Sequence, residues 1–265
     1  MDNFKFKKKF GQNFIKDKNI VSNMCKLSGI SDDSLIIEVG PGKGILTSEL
    51  AKYGNVLSYE IDISLKDYLD DKFKSYENVN IIYDDFMNRD IESDIKGYNY
   101  KNIYFVSNVP YYITTPILMK IINSNIMISK IVIMVQKEVA ERFTSKPGSR
   151  HYSSISVYLN YLYNSKIIMN VSRNSFYPVP NVDSAVILFT RKKNPLYVND
   201  YAFFEKLVRD SFQFKRKTLR NNLKGYDLDK ISEVLKKYGF DLSVRAEELS
   251  VDIFVSISNA LCKEK

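Results

Sequence analysis

Residues 35–50 read LIIEVGPGKGILTSEL. Leu35, Ile36 and Ile37 form an apolar run that ends in Glu38; Gly40, Gly42 and Gly44 follow at alternate positions, and Ile45, Leu46, Glu49 and Leu50 then recur at helical spacing. This pattern predicts a buried strand, a tight glycine turn and a helix. Such a turn demands positive φ and lets a ligand approach bare backbone beside the unpaired N–H groups of a helix N-terminus. A small polar ligand is expected there.

The spacing narrows the ligand. A dinucleotide fingerprint places its third glycine where Ile45 stands, and a P-loop needs Ser or Thr after Gly-Lys, whereas Lys43 is followed by Gly44. What remains is the E-x-G-x-G-x-G turn of S-adenosylmethionine (SAM) methyltransferases, in which an acidic residue closing the next strand binds the ribose hydroxyls. The next predicted strand, 56–59, ends in Glu60. A tight turn in another α/β protein is the competing reading, and Glu60 weighs against it.

A third strand over 79–83 ends in Asp84 and Asp85. In doubly wound sheets ligands bind beyond the carboxyl ends of strands, so these acids face the same crevice as the glycine turn. Asp85 suits an adenine amino group, while a helix N-cap is the alternative, better suited to Asp84. A fourth strand, 103–107, runs into Asn108-Val109-Pro110-Tyr111. Pro110 fixes its own φ and forces Val109 to be extended, so the Val109 carbonyl and the Asn108 side chain can accept both hydrogens of one aromatic amino group while Tyr111 stacks on the ring. Two such acceptors steer the nitrogen lone pair toward a SAM methyl without any histidine. Read as a bare string, these four residues could also be a β-turn.

The 265 residues suffice for one large domain, or one with a small companion. A net charge of +8 and a pI near 9.1 favour a polyanionic partner, with Lys5, Lys7, Lys8 and Lys9 crowded at the start. Cys25, Cys262 and the single His151 cannot assemble a zinc site, so no metal is expected. No apolar run approaches a membrane span and the N-terminus has no h-region, which predicts a cytoplasmic protein with no membrane partner.

Helices are expected over 16–27, 65–76, 117–122 and 137–143, and strands over 131–135, 166–172 and 185–190, with 155–164 open to either. Residues 145–154 form a basic loop. In RNSFYPVPNVDS (173–184) two prolines stiffen an extended loop, and Phe176 with Tyr177 can close the second face of a flipped base or pack beneath the loop. Beyond residue 192 the pattern is helical only, over 201–223, 228–238 and 251–261. The first of these carries Lys215, Arg216, Lys217 and Arg220, a cluster suited to RNA phosphates.

FGQNFI (10–15), EVGPGKG (38–44), NVPYYITTP (108–116), MVQKEVAERF (134–143), FYPVPNVDSAV (176–186), FKRKTLRNN (214–222) and RAEELS (245–250) together resemble the successive blocks of the KsgA-type small-subunit rRNA adenine dimethyltransferases. The resemblance covers nearly the whole chain. It implies a class I, Rossmann-like α/β SAM-binding catalytic domain over 1–192 and a small all-α C-terminal domain over 193–265 that contacts RNA. It further implies that Asn13 and Ile15 hold the methionine end of SAM, that Gly40 lies against the cofactor, and that Glu60 and Asp85 take the ribose and the adenine. Asn108 would border both SAM and the target base, with Pro110 shaping the turn and Tyr111 and Phe176 enclosing the base. The implied reaction is dimethylation at N6 of two adjacent adenines in the 3′-terminal hairpin loop of small-subunit (16S) rRNA, by a monomer acting on an assembling 30S subunit. Lys43 departs toward the related Erm-type methyltransferases of large-subunit rRNA, and a binding-only assembly factor is the third reading.

Overall fold

The computed structural model describes residues 14–262. Asn13 and the lysines at positions 5–9 lie outside them. In chain order the strands are β1 (Phe14–Ile15), β2 (Ser34–Val39), β3 (Gly54–Tyr59), β4 (Val79–Ile82), β5 (Asn102–Ser107), β6 (Ile128–Gln136), β7 (Tyr163–Val171), β8 (Phe176–Tyr177) and β9 (Ser184–Arg191). The helices are α1 (Lys18–Ser28), α2 (Ile45–Leu50), α3 (Lys66–Phe73), α4 (Ile91–Asp94), α5 (Thr114–Ile122), α6 (Lys137–Phe143), α7 (Ser154–Leu162), α8 (Tyr201–Ser211), α9 (Leu219–Asn222), α10 (Leu228–Lys237) and α11 (Val251–Leu261).

Seven strands form one sheet in the order β4-β3-β2-β5-β6-β9-β7. The first five are parallel, and β9 is antiparallel to β6, with Ile131 opposite Phe189 and Ile133 opposite Ile187. β2 is buried along its whole length, as a strand covered on both faces must be, which is why it reads as an unbroken apolar run. On one face Ile36, Tyr104, Val106 and Val132 pack with Val21 and Met24 of α1 and Leu46 and Leu50 of α2. The chain runs outward from β2 to β4 and returns at β5, so the sheet reverses direction between β2 and β5 and opens a crevice at their carboxyl ends. Ser107 Oγ donates to the Val39 carbonyl at 2.6 Å, tying those two strand ends together just before Gly40 and Asn108.

Two compact units are present. One holds the residues up to Ala140 together with Ser165–Arg191; the other holds Glu141–Asn164 and the chain from Lys192 onward. The expected boundary near 192 coincides with one edge of this division, but 141–164, assigned by sequence to the catalytic domain, groups with the C-terminal helices. In this second unit α7 supplies buried Val157 and Leu159, the Tyr158 hydroxyl donates to the Glu205 carbonyl at 2.8 Å, and the Tyr161 hydroxyl donates to that of Leu196 at 2.9 Å. The four C-terminal helices α8–α11 therefore group with α7 from mid-chain.

A second correction concerns residues 201–223. The continuous helix expected there ends at Ser211 and resumes only at Leu219. Asn222 is the cause: its Nδ2 donates to the Ser211 carbonyl at 2.7 Å, the acceptor a continuing helix would offer to Lys215 N–H, and its Oδ1 accepts from Phe214 N–H at 3.1 Å. Lys215, Arg216 and Lys217 thus sit on an exposed turn rather than a helix face, and only Arg220 is helical.

Candidate active site

The crevice at the carboxyl ends of the strands is lined by the glycine turn, by the segments following β3 and β4, by Ile15 and by the Asn108–Tyr111 turn. The sequence-predicted residues Ile15, Gly40, Glu60, Asp85, Asn108, Pro110 and Tyr111 all line it.

Gly40, Gly42 and Gly44 adopt φ of 74°, 57° and 68°. At Gly44 an added Cβ would lie 2.6 Å from Phe73 Cε2 of α3, so a side chain there is strained on two counts. Gly42 N–H donates to Glu60 Oε2 at 3.1 Å, and Asp62 N–H donates to Glu60 Oε1 at 2.8 Å. Glu60 is 3% exposed. Burial pushes its carboxyl upward, against the lowering effect of those backbone donors. The Ile61 N–H adds a third backbone donor to this carboxylate, which leaves at most one of its four lone pairs for a ligand hydroxyl.

Glu38, which opens the glycine motif, is more deeply placed. Thr47 Oγ1 and Ser58 Oγ both donate to its Oε2 at 2.7 Å. Burial raises its carboxyl to about 7 against those hydrogen bonds, with the nearby Glu60 charge adding to the rise. The sequence offered Glu38 as the end of a strand and the first residue of the glycine motif; the hydroxyls that hold it come from α2 and β3.

Asp85, not Asp84, is the cap after β4. Its Oδ1 accepts Met87 N–H at 2.9 Å and starts the 3₁₀ turn Phe86–Asn88, whereas Asp84 Oδ1 accepts Asp85 N–H at 2.7 Å and its Oδ2 faces Arg89 at 3.4 Å. Capping occupies one carboxylate oxygen of Asp85 and leaves Oδ2 without a bond among the described residues. Lys120 fastens this wall by donating to the carbonyls of Met87 (2.8 Å) and Arg89 (2.6 Å).

After β5, Val109 is buried and Pro110 holds φ −57° and ψ 132°. The Pro110 carbonyl accepts from Ile113 N–H at 3.2 Å and Thr114 Oγ1 at 3.3 Å, so it is committed to the next helix. Tyr111 is half-buried, its hydroxyl is 2.8 Å from Ser184 Oγ, and burial raises that hydroxyl above its ordinary range. Ser184 was absent from the sequence-predicted site, and no local signal identifies a serine 73 positions from its partner. Tyr112, 61% exposed, adds an aromatic ring to the lining.

Phe176 is the departure. The exposed loop aromatic expected from FYPVP is Tyr177, at 53% exposure, whereas Phe176 is fully buried in the core with Val171 and Val186 and pairs with Ile15 through β1 and β8. It does not line the crevice, because strand alternation turns adjacent residues to opposite sides. The four basic residues assigned to RNA lie in the second unit, with Lys215, Arg216, Lys217 and Arg220 all exposed. Among the described residues no cluster of His, Cys, Asp or Glu is arranged to hold a metal, and no helix is long and apolar enough to cross a membrane.

Comparison with known proteins accords with this arrangement. The chain is 39% identical over 265 residues to the ribosomal RNA small subunit methyltransferase A of Oceanobacillus iheyensis, spanning 97% of this chain and 90% of that one. It is 42% identical over 271 residues to the protein of the same name from Ligilactobacillus salivarius, with the same coverage. Among solved structures it is similar to the 23S rRNA methyltransferase ErmE, with a TM-score of 0.73 and 25% identity over 94% of this chain and 99% of that one. A dimethyladenosine transferase from Plasmodium falciparum shares the fold, with a TM-score of 0.76 and 22% identity over 92% and 95% of the two chains. Residues 3–263 match the model described as ribosomal RNA adenine dimethylase, and the chain belongs to that family.

Proposed function

We propose that this chain uses SAM to dimethylate N6 of two adjacent adenines in the 3′-terminal hairpin loop of small-subunit (16S) rRNA. The reading includes action in the cytoplasm, as a monomer, on an assembling subunit. The single observation that carries it is the convergence of Asn108, Val109 and Tyr111 on the crevice that also holds Glu60 and Asp85.

The donor set suits an adenosyl group. Glu60 offers an acceptor for a diol, Asp85 Oδ2 offers one for an amino group, and Ile61, Phe86 and Met87 supply apolar surface for a purine face. When bound, SAM supplies an electrophilic methyl. Asn108 Oδ1 and the Val109 carbonyl accept the two N6 hydrogens, which orients the nitrogen lone pair and favours the developing positive charge on that nitrogen. Tyr111 stacks on the base, so a monomethylated adenine, with one hydrogen left to donate, is still held by its ring face. As the bond from N6 to the methyl carbon formed, that carbon's bond to sulfur would break with the electron pair returning to the sulfur of the departing thioether, and the N6 proton would leave to solvent. RNA contact is assigned to the second unit through its basic turn.

The decisive experiment supplies labelled SAM and the purified protein with small subunits lacking the modification, and separately with large-subunit rRNA, and maps labelled adenines by mass spectrometry. Dimethylation of two adjacent adenines in the small subunit alone is expected. Label in large-subunit rRNA alone would give Lys43 the weight and favour an Erm-type activity. Subunit binding without transfer would leave an assembly factor. Asn108→Ala should lower transfer by about 100-fold or more and leave SAM affinity within about threefold, since it removes one preorganised acceptor that aligns the reacting nitrogen.

A further inference from the structure

The segment 146–152 (KPGSRHY) is held in place by three contacts, all within the second unit. Gly148 N–H donates to the Glu247 carbonyl at 2.8 Å. Lys215 Nζ donates to the Arg150 carbonyl at 2.8 Å. The buried Tyr152 ring meets Phe212 edge-on, with centroids 6.1 Å apart at 61°. A stretch 60 or more positions away in sequence is thereby set beside the 212–218 turn. Lys146 and Arg150 on the loop and Arg216 and Lys217 on the turn are all exposed, and none of the four forms an ion pair among the described residues. Arg220 is different: its charge acts on the nearby Asp241 carboxylate. Arg150 Nε donates to His151 Nε2 at 3.0 Å, which orients the guanidinium and leaves its two terminal nitrogens for another acceptor.

We propose that the 146–152 loop and the 212–218 turn form one composite surface for the phosphates of a base-paired RNA segment, in which Lys215 is a positioning residue that pins the loop. The inference rests on an RNA substrate, as proposed above. Backbone phosphates fit because the four charges form no ion pair among the described residues and carry both forked and point-charge donors. Lys215 places one of its three ammonium donors on the Arg150 carbonyl and so holds the loop in position. Its main contribution to RNA binding is the placement of Lys146 and Arg150.

The test measures binding of the full chain to unmodified small subunits across a salt series. The double variant Lys146→Ala/Arg150→Ala should flatten the slope of log affinity against log salt by about 1.8, for two lost phosphate contacts. Lys215→Met should reproduce most of that loss, and adding it to the double variant should change little. Because all three side chains are exposed, the thermal midpoint should stay near wild type, which separates lost contacts from lost folding. An unchanged slope in the double variant overturns the composite surface; fully additive losses overturn the positioning role of Lys215. A photo-crosslinking residue at Pro147 should capture rRNA, and capture of a ribosomal protein instead would overturn the phosphate assignment. Wild-type protein that fails to bind small subunits would refute the functional reading itself, an outcome distinct from all of these.

Discussion

The Tyr111 hydroxyl lies 2.8 Å from Ser184 Oγ, so the ring that closes the Asn108–Tyr111 turn is fastened to the first residue of β9. Ser184 is fully buried and paired in register with Gln136, so its position is set by the sheet. The Tyr111 ring is thus oriented by a fully buried residue of the sheet. Ser184→Ala and Tyr111→Phe should each raise KM for the RNA about three- to tenfold, the worth of one partly buried hydrogen bond, with SAM affinity unchanged. The double variant should be no worse than either single one. Independent, additive losses in steady-state kinetics would show that the hydroxyl pair does not position the ring.

Glu38 makes folding pH-dependent. Its carboxyl sits at about 7 in the folded chain against an ordinary value of 4.5, so the folded state binds this proton more tightly than the unfolded chain does. Its contribution to stability is complete below about 4.5 and is lost as pH rises toward 7, by about 3 kcal/mol at most. Glu38→Gln keeps an oxygen for Thr47 and Ser58 but carries no charge. Thermal melts from pH 5 to 8 should show a flatter profile for this variant and a higher midpoint at pH 8; parallel profiles would remove Glu38 as the source.

Gly44→Ala combines left-handed backbone with a Cβ 2.6 Å from the Phe73 ring. A loss of about 2 kcal/mol in unfolding free energy is expected from strain and overpacking together. Trimming the obstacle with Phe73→Leu should recover part of it. A double variant as unstable as the sum of both changes would mean the backbone alone is responsible.

Phe176→Ala should cost about 3–5 kcal/mol of stability, as truncation of a buried aromatic does, while Phe176→Leu should cost less than about 1.5 kcal/mol. Urea unfolding distinguishes this from a ring exposed for stacking, whose removal would spare stability and reduce only transfer.

Much of what lines the crevice was legible because it is local. The glycine spacing, the acids that end β3 and β4, and the Asn108-Val109-Pro110-Tyr111 string each carry their chemistry within a few residues, and β2, β5 and β6 announce themselves as apolar runs because both faces are covered. The reversal between β2 and β5 then follows from doubly wound topology, which brings three separate strand ends to one crevice.

Other features depend on partners distant in the chain. Asn222, eight to eleven residues on, ends α8 by taking the Ser211 carbonyl, and helical periodicity alone carries no sign of that competition. Whether Phe176 or Tyr177 faces inward depends on how β8 pairs with β1 across 160 residues of chain, since a shift of one residue exchanges the two rings. Segment 141–164 joins the C-terminal unit through contacts such as Lys215 to Arg150, made between residues with no common local pattern. Sequence by itself determined which chemical groups the protein possesses and the strand ends that carry them, because those follow from short-range sterics and hydrophobic periodicity. Only the tertiary structure decided which groups are buried, capped or pinned, because those outcomes are set by long-range packing and by competition for each backbone acceptor.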